Sequence, residues 1–311
     1  MGNKKVTIVG AGNVGATAAM LLAFHDAADV CLIDIAEGMP QGKALDMMHM
    51  RSVEKFASTV TGTNDYADTA GSDVVVITAG VPRKPGMTRD DLLGINSKIM
   101  ESVISEVVKH SPEATVICVT NPLDVMTYLA FKKSGLPAQR IFGMGGVLDS
   151  ARFTYAVAEA TGADVADIES YALGAHGDKM APMPRFTTVK GRPITELLSE
   201  EEVEALVQRT IFGGAEVVAF LKTGSAFYAP AASIAHMVEA ILNDTKEVMP
   251  VCTYVDGPYD IYDVYVGVPA RLGANGIEEI VELDLNADEL AALQASAQSC
   301  AKSLDALGLR G

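Results

Sequence analysis

Through the first half of the chain, short apolar runs alternate with longer stretches of helix-forming residues. Val6-Thr7-Ile8-Val9 is β-branched and apolar and stops at Gly10, and the residues from 16 to 24 then favour a helix. Val30-Cys31-Leu32-Ile33 is a second run and stops at Asp34. A helical stretch over 42–50 follows, then a strand opening at Val60-Thr61 before the turn Gly62-Thr63-Asn64-Asp65. Further runs stand at 73–78, 115–120 and 140–143, and the spans 90–110 and 123–134 between them read as helices. Runs with no polar face suit strands buried on both sides, as in a parallel sheet covered by helices. This alternation predicts an open, doubly wound α/β sheet with its cleft at the carboxyl edge.

The second half has a different rhythm. Helices are expected over 151–161, 200–221, 229–242 and 284–307. Strand-like segments fall at 170–173, 251–254, 262–271 and 277–283, the last two joined through Gly273-Ala274-Asn275-Gly276. The segments 186–189 and 193–197 flank a Lys190-Gly191-Arg192 turn in a hairpin-like pattern. The change of pattern comes at the glycine-rich junction 143–146, which divides the chain into a parallel-sheet domain over 1–145 and an α+β domain over 146–311.

The first junction carries a more specific signal. Gly10-Ala11-Gly12-Asn13-Val14-Gly15 is a G-x-G-x-x-G turn between a strand and a helix, and Asp34 ends the next strand nineteen residues after Gly15. Strand, glycine turn, helix, strand and acid form the order that a Rossmann-type dinucleotide site requires. Gly10 permits the tight turn, Gly12 leaves room for a pyrophosphate, and Gly15 lets the helix approach the sheet. The helix N-terminus offers N–H groups and partial positive charge to the phosphates. Asp34 accepts from ribose hydroxyls and repels a 2′-phosphate. No Arg follows in Ile35-Ala36-Glu37, so the expected cofactor is NAD rather than NADP.

Composition narrows the class. The chain has 311 residues, 49% hydrophobic and 21% charged, which describes a globular protein with room for two domains. A net charge of −16 argues against nucleic-acid or anionic-membrane partners. Any anion site must therefore be built locally from arginines. Cys31, Cys118, Cys252 and Cys300 contain no C-x-x-C pair, so buried free thiols are expected, and the five histidines form no metal-spaced cluster. Lys4-Lys5 precedes an apolar run, but that run breaks at Gly10 and no stretch approaches the length of a membrane span, so a cytoplasmic protein is expected.

Candidate chemistry gathers at strand ends and loops. Arg83 and Arg89 stand on one Pro/Gly loop, Asn121 follows a strand, and His176 lies in a loop after a strand. Asp149 and Arg152 are three apart and share a helix face. Guanidinium groups bind carboxylates bidentately and stay charged, so three of them suit a dicarboxylate. Taken one at a time, each residue also has an ordinary reading as a solvated charge, a surface pair or a turn former. Spacing and composition alone reach an NAD-binding oxidoreductase of unspecified substrate.

Two further segments, Gly146-Val147-Leu148-Asp149-Ser150-Ala151-Arg152 and Gly174-Ala175-His176-Gly177-Asp178, resemble the signatures of the lactate/malate dehydrogenase family. The glycine turn, Thr120-Asn121-Pro122 and the Arg83–Arg89 loop match it too, and the resemblance spans essentially the whole chain. In detail the chain is similar to the lactate-dehydrogenase-like subgroup of malate dehydrogenases. The segments 40–46, 82–87 and 224–231 carry that finer likeness. The resemblance implies reversible hydride transfer between (S)-malate and NAD+, by a homodimer or homotetramer. His176 would be the acid/base, and Asp149 would orient its imidazole. Arg152 would clamp the carboxylate beside the reacting carbon, and Arg89, on a mobile loop, would polarise the carbonyl as the loop closes. Asn121 would bind substrate, with Val119 and Thr120 of its strand end near the nicotinamide, and Asn96 would contribute to the cofactor site. Arg83 would pair with the second carboxylate, where lactate dehydrogenases typically carry Gln.

Three positions depart from the family pattern: Gly145 and Ala175 replace a common Ala and a common Gly, and Thr154 stands where Arg is frequent. Thr154 bears on a helix contact between subunits rather than on the reacting groups. The competing readings are a lactate or broad 2-hydroxyacid dehydrogenase, which Arg83 disfavours, and an NAD-dependent glycosidase, which would need Cys and His metal ligands. A non-catalytic NAD-binding scaffold would be expected to have lost His176, Asp149 or an arginine.

Overall fold

Five parallel ladders order the first part of the chain. The computed structural model describes residues 4–82 and 89–310. Strands β1 (Lys5–Val9), β2 (Asp29–Ile33), β3 (Val60–Thr63), β4 (Val74–Ile77), β5 (Thr115–Cys118) and β6 (Ile141–Gly143) lie in the order β3-β2-β1-β4-β5-β6. Helices α1 (Asn13–Phe24), α2 (Met39–Glu54), α3 (Arg89–His110) and α4 (Leu123–Ser134) connect them. Lys5 pairs with Asp29 on one side of β1, and Val6 pairs with Val74 on the other. The strand order therefore reverses at β1, the switch point where doubly wound sheets bind ligands. Val6, Ile8, Val74, Val76, Val116 and Ile117 are fully buried, which explains why the runs lack a polar face.

The chain through Met144, with Pro230–Glu247 and Leu272–Glu278, forms one compact unit. Helix α7 (Tyr228–Leu242) thus gives this unit most of its length, burying Ile234, Ala235, Met237 and Val238. His25 after α1 meets Glu239 of α7 at 2.7 Å.

The second unit comprises Gly145–Ala229, Val248–Arg271 and the chain from Glu279. Helix α5 (Gly146–Thr161) precedes strands β7 (Ile168–Glu169), β8 (Ala172–Gly174), β9 (Met180–Pro182), β10 (Thr188–Val189) and β11 (Arg192–Pro193). Helix α6 (Glu200–Leu221), strands β12 (Glu247–Val255), β13 (Val264–Gly273) and β14 (Gly276–Ile280), and helix α8 (Ala287–Ala306) complete the chain. Strand β8 pairs antiparallel with both β13 and β9, and β11-β10-β7 form a small antiparallel sheet. Phe153, Ala156 and Val157 of α5 pack with Ile168, Ile194, Val203 and Leu206. Both α6 and α8 start with capping boxes, Ser199 with Glu202 and Asn286 with Glu289.

Several boundaries differ from expectation for local reasons. The expected turn at Gly62 is strand, paired in register with Leu32, and its missing Cβ lets it run against the backbone of Pro40. Helix α5 begins at Gly146, five residues early, so Asp149 and Arg152 lie in its first two turns. Strand β13 starts two residues late, since Tyr259, Asp260 and Asp263 have positive φ and wind 258–263 into a turn. The strands β7 and β9 are two and three residues long and leave no periodic signal. All four cysteines are buried, and none is in a disulfide. Burial pushes the Cys118 thiol up to about 12 and raises that of Cys31, so both stay protonated. Among the described residues, no helix is long and apolar enough to cross a membrane.

Candidate functional site

The glycine turn after β1 is shaped for an anion. Gly10 has φ +110°, and a Cβ there would lie 2.6 Å from Thr78 Oγ1 and 2.9 Å from the Ala79 nitrogen. Gly15 faces the Gly10 carbonyl with no room for a side chain, so α1 seats on the turn. Gly12 meets nothing within 4 Å and is exposed with Asn13, which leaves its backbone open to a ligand. The first turn of α1 has no side-chain cap and no acidic residue to occupy its N–H groups. Asp34 Oδ2 accepts the Ala11 N–H at 2.7 Å and Oδ1 the Ala36 N–H at 2.9 Å, fixing the carboxylate beside the turn. Each carboxylate oxygen has a second acceptor site for a ribose hydroxyl. These features fit a dinucleotide. Lys43 donates to the Ala11 carbonyl at 2.6 Å and brings a cation to the turn. The sequence reading missed this role, and only its position in the first turns of α2 hinted at it.

At the ends of β4 and β5, Asn96 of α3 holds two loops together. Its Oδ1 accepts the Val81 N–H at 2.9 Å, while Nδ2 donates to the carbonyls of Val81 at 3.2 Å and Asn121 at 2.7 Å. Asn96 is 1% exposed, so its amide serves backbone groups. Thr120 Oγ1 donates to the Ala79 carbonyl at 2.6 Å, and the Val119 N–H donates to Ile77 at 2.9 Å. Asn121 is exposed at the end of this strand, before a cis peptide to Pro122. Arg89 opens α3 rather than closing a loop. Arg83 and the rest of 83–88 lie outside the described residues.

In the second unit, three expected residues come together. Asp149 is 2% exposed and its two oxygens are divided between two cations or potential cations. Oδ2 meets His176 Nδ1 at 2.9 Å, and Oδ1 meets Arg152 Nη1 at 3.2 Å. A carboxylate only accepts, so Nδ1 carries the proton in this contact, which leaves Nε2 as the ring nitrogen that can gain or lose one. The arginine spends one N–H on Asp149 and leaves the rest of its fork for a ligand carboxylate. The i,i+3 spacing on α5 aims Asp149 and Arg152 along one face, and the loop after β8 delivers His176 to them.

Ser296 of α8 is a further site residue that spacing could not reveal, being 120 residues downstream of His176. Its hydroxyl accepts the Ala175 N–H at 2.8 Å and donates to the Lys179 carbonyl at 2.6 Å, bracketing the His176 loop. It is 4% exposed. Ser296→Ala leaves the Ala175 N–H without its partner, at a cost of about 1–3 kcal/mol. Looser placement of His176 is expected to lower turnover roughly tenfold. Thermal melts and steady-state kinetics of the variant check both, and unchanged turnover would show the strap to be dispensable. Ser170 Oγ donates its proton to the Ser150 carbonyl and accepts from Thr154 Oγ1 at 2.8 Å, so the Thr154 hydroxyl is used within the chain. No group of potential metal ligands occurs among the described residues.

Residues 4–143 match the family model described as lactate/malate dehydrogenase, NAD binding domain, and 146–307 match its alpha/beta C-terminal domain. Malate dehydrogenase of Synechocystis sp. is 54% identical over 301 residues, covering 97% of this chain and 93% of that one. The crystal structure of Cryptosporidium parvum malate dehydrogenase superposes with a TM-score of 0.96 at 44% identity, covering 99% of each chain. Lactate dehydrogenase of the same organism, complexed with lactic acid and nicotinamide adenine dinucleotide, gives 0.94 at 42% identity over 98% of this chain and 99% of that one. Backbone similarity therefore does not separate the two substrates.

Proposed function

From the premise that the chain belongs to the lactate/malate dehydrogenase family, we propose how its residues divide the work of an NAD-dependent oxidoreductase acting on malate and oxaloacetate. The observation that carries the reading is the buried Asp149 carboxylate, bonded to His176 on one oxygen and to Arg152 on the other. Bound NAD+ supplies the hydride acceptor for malate oxidation, and NADH the donor in the reverse direction. His176 takes the malate hydroxyl proton at Nε2 and returns it during oxaloacetate reduction. Asp149 holds the tautomer and stabilises the imidazolium that forms, the logic of the His–Asp pair in serine hydrolases. Arg152 clamps the carboxylate beside the reacting carbon, and Arg89 polarises the carbonyl as charge develops on its oxygen. Arg83 pairs with the second carboxylate, and Asn121 hydrogen-bonds the substrate.

The cofactor contacts are assigned to the 10–15 turn, Asp34, Val119, Thr120 and Asn121, with Asn96 holding the strand ends in place. Residues 1–145 are the cofactor-binding portion and 146–311 the catalytic portion. The assembly is a cytoplasmic homodimer or homotetramer, consistent with the exposure of Phe212 (56%) and Phe220 (79%) on α6. Malate–oxaloacetate exchange is a tricarboxylic acid cycle step, and that is its place in metabolism.

The cofactor assignment has its own test. Oxaloacetate reduction is expected to run at least about 100-fold more efficiently with NADH than with NADPH, because a 2′-phosphate meets Asp34 with like charge. Equal use of both would contradict the role of Asp34. No oxaloacetate-dependent NADH oxidation at all would contradict the function.

A further inference from the structure

Two adjacent glycines, Gly213 and Gly214, stand well inside the 22-residue helix α6. Glycine weakens a helix interior relative to alanine, so a pair of them asks for a reason. Both are half-buried, and beyond Thr210 no residue of the helix is buried in a core. At either position the three heavy atoms nearest to an added Cβ belong to Arg152. A Cβ at Gly213 would lie 3.1 Å from Arg152 Cδ and 3.7 Å from both Cγ and Nε. One at Gly214 would lie 3.5 Å from Nη2, 3.7 Å from Nη1 and 3.8 Å from Cζ. The arginine stem therefore passes over Gly213 and its planar head over Gly214. Nη1, one of the atoms over Gly214, also donates to Asp149 at 3.2 Å.

We propose that Gly213 and Gly214 are positioning residues for Arg152. The bare strip of α6 backbone sets the depth and plane at which the guanidinium presents its fork to the carboxylate of a 2-oxo or 2-hydroxy acid. The inference rests on the reading that Arg152 clamps that carboxylate. A methyl group at 213 is closer to Cδ than ordinary contacts allow, so the stem shifts by a few tenths of an ångström. The shift reaches the head, which also pulls away from Asp149. Bidentate recognition is sensitive to such displacement.

The test compares Gly213→Ala, Gly213→Val and Gly214→Ala with the wild type in oxaloacetate reduction, together with thermal melts. KM for oxaloacetate is expected to rise about tenfold in Gly213→Ala, further in Gly213→Val and less in Gly214→Ala. KM for NADH stays unchanged, and the melting temperature of both alanine variants is level or higher, because alanine favours the helix. A glycine needed only for folding would give the opposite stability result. On an Arg152→Lys background, Gly213→Ala should add little, since the planar head it displaces is gone. Should Gly213→Val fail to fold, the two alanine variants and the double substitution decide. An oxaloacetate KM within twofold of wild type in both alanine variants overturns the inference while leaving the functional reading intact. A wild-type protein that does not reduce oxaloacetate brings down that reading, and the inference with it.

Discussion

His176→Asn is expected to lower turnover of oxaloacetate by about 10³-fold while leaving NADH affinity within a few-fold of wild type. The asparagine amide fits the loop after β8 and still donates to Asp149, so the buried carboxylate keeps a partner. It has no basic nitrogen at the position of Nε2, so no group gives or takes the hydroxyl proton. The remaining rate comes from cofactor binding, the arginine clamp and proton exchange with water. The loss should therefore fall on kcat more than on KM. The limb of the pH–rate profile that follows the imidazole should vanish with it. Steady-state kinetics across pH and NADH fluorescence titration read these outcomes. A residual rate above about a tenth of wild type would remove His176 from the proton-transfer role.

Arg83→Gln should shift substrate preference rather than abolish turnover. Oxaloacetate carries a second carboxylate where pyruvate has a methyl group. A guanidinium closed into a drier site without an anion to pair with is costly, by several kcal/mol, and that penalty falls on pyruvate. Glutamine removes both the penalty and the attraction. The ratio of kcat/KM for oxaloacetate over pyruvate is expected to fall on the order of 10³-fold, from a loss on one substrate and a gain on the other. An unchanged ratio would mean that Arg83 does not read the second carboxylate.

The parallel sheet was legible because strands buried on both faces are uniformly apolar, and the first five helices stand between or after them. The dinucleotide turn was legible because its glycines answer geometric demands: Gly10 at φ +110°, Gly12 open and Gly15 against a carbonyl. Position after a strand and on one helix face marked His176, Asp149 and Arg152 as candidates, the resemblance gave them roles, and their hydrogen bonds supply a chemical reason. What stayed hidden depends on contacts between distant residues. Ser296 and Gly174-Ala175 are joined only by folding, as are Arg152 and the glycines of α6. Very short strands such as β7 carry no periodicity to read. Helix α7 reads as an ordinary helix of the second half, yet its residues from 230 belong to the first compact unit, which nothing in its own pattern reveals.

The arginines on this acidic chain are expected to select a dicarboxylate. The most direct measurement is NADH oxidation by the purified wild-type protein, with oxaloacetate and pyruvate run side by side. A kcat/KM for oxaloacetate at least about 10³-fold above that for pyruvate is the predicted result. Comparable values, or a preference for pyruvate, would contradict it.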